Sequence, residues 1–252
     1  MRVFCKYDLE LDRFLKSVVS YVFNLFGNDI VLNCLEEIEL VKQIEGAPIE
    51  TDGRISGDGR KITLTARLFD RLPTYDISKL KLNEEFQTIV CTIYHEMGHI
   101  ADRSTMPSIY AAAVPQSTDD KQILAPFFWA EYLAEKRSSK TNLVSYQDFC
   151  DDFVKREWKS FDYNFDNPTE ANFFFLCKML AYFMGRTTRE NVRETFCRKV
   201  VNPLLKEFID VLGKELVDLE QKFPFDDVKL LDNLSNVLIE YCSKFSQKFA
   251  QI

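Results

Sequence analysis

The two histidines of the chain lie four residues apart, in the stretch His95-Glu96-Met97-Gly98-His99. This spacing constrains the local fold, because in an α-helix it places both side chains on one face, one turn apart. Apolar residues around the pair recur at three- and four-residue steps, namely Phe86, Val90, Ile93, Met97 and Ile100. The stretch therefore predicts an amphipathic helix whose two imidazoles point to a common position, away from the apolar stripe and toward a cleft.

Two imidazoles on one helical face make a bidentate metal site, and Glu96 lies beside them where it can hold a water molecule. Catalytic zinc sites use three protein ligands and keep one position open for water. The pattern H-E-x-x-H therefore predicts a Zn²⁺ site in which Glu96 is the general base of a peptide hydrolase. The same five-residue pattern also occurs by chance in unrelated helices, so the remaining chain must supply the third ligand.

The third ligand is expected to be a carboxylate or a thiolate, because the chain has no third histidine. The best candidate is Glu131, within the largely apolar segment Trp129-Ala130-Glu131-Tyr132-Leu133-Ala134-Glu135. Glu131 and Glu135 are one helical turn apart, so Glu131 can ligate zinc while Glu135 accepts the ring N–H of a ligand histidine. Glutamate pairs at this spacing are also common on solvated helix surfaces, and the apolar neighbours favour the metal site here.

Four further residues have open roles around this site. Asp102 shares the histidine face of the helix, where it either orients a ligand imidazole or serves as a polar helix end. Cys91 lies one turn before the first histidine, and an inert buried thiol is favoured there over zinc ligation. An oxyanion stabiliser is expected from a tyrosine, an arginine or a backbone N–H, and Tyr163 and Tyr182 are the tyrosine candidates of the helical part.

Composition is typical of a globular protein and argues against several classes of partner. With 252 residues, of which 46% are hydrophobic, the chain can bury a substantial core. The absence of an apolar run of about eighteen residues predicts no membrane span, and the early charges argue against a signal peptide. A net charge of −7 without a cluster of basic residues argues against nucleic acid binding. Seven scattered cysteines without C-x-x-C indicate reduced thiols and a cytoplasmic location, and the oligomeric state is left open.

The order of patterns along the chain predicts an α+β fold. A first helix over residues 8–26 precedes three β-like segments, at 38–44, 54–56 and 61–66. The last two flank Gly57-Asp58-Gly59, a strong turn signal. We therefore expect a small, mainly antiparallel three-stranded (or slightly larger) sheet packed on the H-E-x-x-H helix.

The rest of the chain is predicted to be helical after a loop over residues 103–120. The predicted helices span about 126–139, 167–185, 203–223 and 226–250. This pattern divides the chain into a catalytic lobe, residues 1–140, and a predominantly α-helical C-terminal lobe, residues 141–252.

The succession of a helix, a small sheet, an H-E-x-x-H helix and a later glutamate helix resembles the gluzincin metallopeptidases. In this resemblance His95, His99 and Glu131 match the zinc ligands. Glu96 matches the catalytic base, and Glu135 stands where the family has the aspartate of an E-x-x-x-D pattern. The resemblance implies a zincin-like core and a zinc-dependent peptidase.

The likeness covers roughly residues 8–139 and is to the compact cytosolic minigluzincins in particular. It implies a peptide or protein substrate that pairs with an edge strand, for which the segment Lys61 to Ala66 is the candidate. The H-E-x-x-H core is also similar to that of the ImmA/IrrE-type metallopeptidases, which implies cleavage of a repressor protein as an alternative. A second alternative is a protein that retains the peptidase fold without turnover and acts as a binding module.

Overall fold

The computed structural model describes residues 1–27, 32–47, 51–113, 123–139, 170–188, 190–200 and 202–247. The chain groups into two units, Met1–Ser104 with Arg137–Ser145 and Thr105–Lys136 with Tyr146–Ile252. Each unit contains a hydrophobic core of its own. This grouping differs from the predicted boundary at residue 140, because it places residues 105–136 with the C-terminal helices.

The first unit combines a sheet with three helices. The strands are β1 (Arg2–Cys5), β2 (Glu37–Val41), β3 (Gly53–Ile55) and β4 (Lys61–Thr65). The helices are α1 (Leu9–Phe26), α2 (Ile77–Leu80) and α3 (Glu84–Thr105), and a 3₁₀ turn spans Ala66–Leu68. These elements confirm the predicted α+β class and the first predicted helix.

The strand order is β1-β2-β4-β3, with β1 and β4 parallel to β2 and with β3 antiparallel to β4. The prediction of a mainly antiparallel sheet is therefore wrong, because two of its three strand pairings are parallel. The fourth strand, at the N-terminus, agrees with the predicted size of three strands or slightly more. Parallel neighbours need a long crossover connection, and α1 provides it between β1 and β2. The hairpin of β3 and β4 is the antiparallel part, and Gly59 closes its turn with a φ of +71°.

The position of β4 corrects a second expectation. Because β4 pairs with β2 on one side and with β3 on the other, the segment Lys61 to Ala66 is not an edge strand. The edges of the sheet are β1 and β3.

One face of the sheet and one face of α3 share the core of the first unit. Ile38, Leu40, Ile62 and Leu64 alternate along β2 and β4 and are almost fully buried. They belong to the same apolar cluster as the predicted stripe of α3. Burial of each such side chain contributes about 1.5–3 kcal/mol relative to leaving it exposed, so this contact anchors α3 to the sheet.

Side-chain caps mark where the two long helices of this unit begin. Asp8 accepts hydrogen bonds from the backbone N–H groups of Glu10 and Leu11, at 2.8 and 3.0 Å. Asn83 accepts one from the N–H of Phe86 at 2.9 Å. Asp8 and Asn83 are thus the N-caps of these helices, and each satisfies donors that a helix leaves without an intrahelical partner.

The second unit is helical over its described residues. Its helices are α4 (Pro107–Ala112), α5 (Leu124–Ser138), α6 (Glu170–Arg186), α7 (Glu190–Cys197), α8 (Pro203–Lys222) and α9 (Asp232–Gln247). The predicted loop over 103–120 contains the end of α3 and all of α4. A 3₁₀ turn, Val228–Leu231, precedes α9, so the helix predicted to begin at 226 begins six residues later. None of the helices among the described residues is long and apolar enough to cross a bilayer.

The core of the second unit joins α4 and α5 to the C-terminal helices. Trp129 of α5 stacks on Phe225 with ring centroids 5.6 Å apart, and Phe208 of α8 stacks on Tyr241 of α9 at 4.4 Å. Tyr132 of α5 donates a hydrogen bond to Glu220 of α8. These contacts explain why α5 belongs to this unit rather than to the sheet.

The face of the sheet opposite its core carries a network of ion pairs. Lys61 contacts both Glu37 and Glu39, and Lys6 lies 3.1 Å from Glu39. Burial of the Glu39 carboxyl raises its pKa, whereas hydrogen bonds from Lys61 and Lys6 lower it, and the net pKa lies below the ordinary 4.5. The pairs therefore stabilise the sheet above about pH 4.5.

We predict that Glu39→Gln lowers the free energy of unfolding at pH 7 by at most about 1 kcal/mol, since solvent screens these pairs. The folded-state pKa of Glu39 is lowered, so its contribution is complete above pH 4.5 and is lost as the pH falls further. Urea denaturation of wild type and variant at pH 7 and at pH 3 measures both effects. Glu36→Gln is the control, because the Glu36–Arg60 pair is exposed on both sides. A stability difference for Glu39→Gln that is as large at pH 3 as at pH 7 would contradict the assignment.

Candidate metal centre

The two histidines of α3 converge on one point. The Nε2 atoms of His95 and His99 lie 3.0 Å apart, and the ring planes are inclined by 85°. Two nitrogen ligands of a tetrahedral zinc ion, each about 2.0–2.1 Å from the metal, lie within roughly 3–3.5 Å of each other. The geometry of the pair therefore fits bidentate coordination.

Glu131 of α5 completes a group of three residues that could hold a metal ion. His95, His99 and Glu131 each offer one ligand atom, and these atoms lie within 4.8 Å of one another. All three residues are buried. Within the part of the chain that the structure describes, this is the one group of three or more His, Cys, Asp or Glu residues arranged to hold a metal ion. Two imidazole nitrogens and one carboxylate oxygen form a donor set that Zn²⁺ favours.

The side chains of this candidate site are buried. Every residue of α3 from Ile93 to Ile100 is buried, and His95, Glu96 and His99 are 7%, 9% and 7% exposed. Burying imidazoles and carboxylates costs free energy unless charge or hydrogen bonds compensate for it. A cation among these side chains would supply that compensation.

Glu96 occupies a different position from the three candidate ligands. Its side chain lies against the backbone of Gly53, the first residue of β3. An edge strand of the sheet therefore passes directly beside the predicted general base.

Asp102 has a partner that the sequence reasoning missed. Arg137, near the end of α5, donates two hydrogen bonds to its carboxylate, one of them 2.9 Å from Nη1 to Oδ2. Such a bidentate pair is among the stronger ion pairs in proteins. Asp102 thus joins the ends of α3 and α5, and its predicted role toward an imidazole stays a prediction.

Two cations of α6 face the two glutamates of α5. Arg186 donates from Nε to Glu135, and the Nζ of Lys178 lies 3.9 Å from Oε1 of Glu131. The Tyr182 ring lies between these cations in the sequence, with its centroid 5.6 Å from Nζ of Lys178 and 5.8 Å from the Arg186 guanidinium carbon. Residues four apart lie on one face of a helix, so Lys178, Tyr182 and Arg186 share a face of α6, as Glu131 and Glu135 share a face of α5.

The other candidates of the sequence analysis were Cys91 and two tyrosines. Cys91 is half-buried. Tyr182, the second oxyanion candidate, lies on α6 and packs against the core of its unit, and Tyr163 lies outside the described residues.

A glycine lets α6 approach α5 closely at this point. A methyl group at Gly185 would lie 2.8 Å from the backbone nitrogen of Lys136 and 2.9 Å from the carbonyl oxygen of Tyr132. Backbone atoms cannot move aside cheaply, so a side chain at 185 forces the helices apart. The absence of a side chain at Gly185 therefore allows α6 to pack closely against the helix that carries Glu131 and Glu135.

Comparison of the chain with known protein families, curated proteins and solved structures finds no match. The candidate site therefore rests on the geometry and chemistry of its own side chains.

Sequence reasoning selected the three residues of this cluster in advance, but it missed the cations and the glycine that lie nearby. Lys178, Tyr182 and Arg186 follow one another at steps of four residues. The same step separates Glu131 from Glu135, and this shared step is the signal in the sequence. No comparable signal marks Arg137 or Gly53, because their contacts join segments far apart in the chain.

We predict that Gly185→Ala lowers the free energy of unfolding by about 1–3 kcal/mol, because the added methyl overpacks the contact between α5 and α6. Urea denaturation monitored by circular dichroism measures the change. Gly57→Ala is the matched control, because a methyl at Gly57 would meet no atom within 4 Å. Equal stabilities of the two variants would exclude a tight contact at Gly185.

We also predict that the protein binds one zinc ion and that Glu131→Ala or His99→Ala weakens this binding by more than about 100-fold. Loss of a residue that merely supports a ligand costs about 10–100-fold, and loss of a ligand should exceed this. Competition with a chromophoric chelator measures the affinity, and elemental analysis gives the stoichiometry. Glu135→Gln is the comparison on the same helix, with a smaller expected loss; zinc binding that survives Glu131→Ala unchanged would remove Glu131 from the ligand set.

Proposed function

We propose that the protein is a zinc-dependent metallopeptidase of the gluzincin type, with His95, His99 and Glu131 as metal ligands and Glu96 as general base. The observation that supports this most directly is the convergence of the three ligand atoms within 4.8 Å. An H-E-x-x-H helix beside a sheet, followed by a glutamate on a later helix, is the arrangement that a zincin-like core requires.

Glu96 is the residue that moves protons in this proposal. A zinc ion bound to the three ligands would lower the pKa of an attacking water from about 15.7 toward 7 and polarise the substrate carbonyl. Glu96 accepts a proton from the water as the water oxygen bonds to the carbonyl carbon. It then delivers the proton to the amide nitrogen as the C–N bond breaks, which releases a carboxylate and an amine.

Burial of Glu96 suits this role. At 9% exposure its carboxylate is largely shielded from bulk water. Proton transfer is efficient only when the carboxylate stays within hydrogen-bond reach of the reacting water, about 2.6–3.2 Å. A shielded side chain confined by its neighbours meets this condition better than an exposed one.

The edge strand β3 is the proposed guide for the substrate. Among the described strands β3 pairs with β4 alone, and the proposal places an extended peptide on its other side. Backbone pairing to a sheet edge aligns a peptide without regard to its side chains. Because Gly53 of β3 lies against Glu96, a peptide paired there would run beside the base. This strand replaces the segment Lys61 to Ala66 that the sequence suggested.

We predict that Glu96→Gln lowers peptide hydrolysis by about 10²–10⁴-fold, because the amide cannot accept the proton of the attacking water. The change keeps the shape of the side chain, so bound zinc should remain near the wild-type amount. Digestion of a diverse peptide pool followed by mass spectrometry, with zinc content measured in the same samples, tests both parts.

Two results would contradict the proposal in different ways. Hydrolysis that persists in Glu96→Gln would show that another residue is the base. Zinc bound by the wild-type protein without cleavage of any peptide would favour the alternative, a metal-stabilised binding protein that does not turn over substrate. Chelation of the metal should abolish cleavage, and restoration by added Zn²⁺ completes the control.

A further inference from the structure

Gly53 and the Glu96 side chain are in unusually close contact. A methyl group at position 53 would lie 2.8 Å from Oε1, 2.9 Å from Cγ and 3.0 Å from Cδ of Glu96. Real side chains essentially never approach other atoms this closely, so any residue larger than glycine must displace the Glu96 side chain or the strand.

Position 53 requires a glycine because of limited space and not because of its backbone conformation. Gly46 and Gly59 are the glycines with positive φ among the described residues. Gly53 is the first residue of β3 and pairs with Leu64 of β4 in a regular antiparallel register. Any L-residue can adopt this backbone conformation, so the requirement at 53 comes from the Glu96 side chain.

The Glu96 side chain has little room to give way. It is buried, and three of its successive atoms, not its end alone, face Gly53. A methyl at 53 would therefore force a change of rotamer or move β3 away from α3. Either response changes the position of the carboxylate relative to the strand.

We propose that Gly53 is a positioning residue that sets the place of the Glu96 carboxylate by leaving it room against the edge strand. The catalytic meaning of this role rests on the proposed peptidase function. A displacement of about 1 Å at a reacting group can cost roughly 100-fold in rate. Gly53 would thus influence kcat through the position of Glu96.

A double-mutant cycle on the zinc-free protein tests the contact independently of activity. The variants are Gly53→Ala, Glu96→Ala and the double variant, and the readout is Tm. Gly53→Ala should lower Tm by about 2–4 °C, the shift typical of a modest destabilisation in a chain of this size. In the Glu96→Ala background the same change should leave Tm unaffected, because the clashing atoms are gone.

Gly57→Ala is the matched control for this cycle. It replaces a glycine in the same hairpin, also without positive φ, where a methyl meets no atom within 4 Å. It therefore reports the effect of the glycine-to-alanine change on the unfolded chain alone. If the Tm changes of Gly53→Ala and Glu96→Ala simply add in the double variant, the two residues do not interact, and the inference is overturned.

Kinetics with the zinc-loaded protein test the positioning role. Gly53→Ala should lower kcat by about 100-fold with KM and zinc content near the wild-type values, whereas Gly57→Ala should leave all three unchanged. Glu96→Asp shortens the side chain of the base. It should lower kcat by a smaller factor in the Gly53→Ala variant than in the wild type. A wild-type kcat for Gly53→Ala in a protein that cleaves peptides would overturn the inference and leave the peptidase function standing.

Failure of the function itself gives a different result. A wild-type protein that cleaves nothing would contradict the proposed peptidase, while the Tm cycle would still decide whether Gly53 packs against Glu96.

Discussion

The convergence of two imidazoles in a buried stretch of α3 is the constraint on which the candidate site depends. The apolar side of α3 joins the core of the sheet, and the histidine side is buried as well. Polar groups that lose water must regain the lost free energy through hydrogen bonds or charge. Nε2 atoms 3.0 Å apart, with a carboxylate oxygen in the same cluster, form the arrangement that a divalent cation stabilises. The helix thus combines an apolar anchor with a polar site on one short segment.

The acidic residues near this site do not all have the same kind of partner. Asp102 and Glu135 make close contacts with arginines, through Arg137 and Arg186. Nζ of Lys178 lies 3.9 Å from Oε1 of Glu131. Buried carboxylates that hold an arginine in a bidentate or close pair are costly to redirect. Asp102 and Glu135 therefore brace the helices that carry them.

Local sequence signals predicted the long helices and the residues of the His95, His99 and Glu131 cluster. The four-residue steps of His95 and His99 and of Glu131 and Glu135 place each pair on one face of a helix, whatever the rest of the fold does. Asp8 and Asn83 cap their helices through a few neighbouring residues, so capping is also a local property. The hairpin of β3 and β4 was also expected, because adjacent residues, Gly57-Asp58-Gly59, form the turn signal.

Pairings between distant segments were decided by the tertiary structure alone. The parallel contacts of β2 with β1 and β4 join strands separated by a helix or a hairpin, and such pairing leaves no local pattern, so the sheet was expected to be mainly antiparallel. The contact of Arg137 with Asp102 and the contact of Gly53 with Glu96 also leave no local pattern in the sequence. By itself the sequence determined which side chains share a helical face, because helical periodicity is a property of neighbouring residues. Only the folded chain decided which strand passes beside Glu96, because that depends on packing of segments that lie more than forty residues apart.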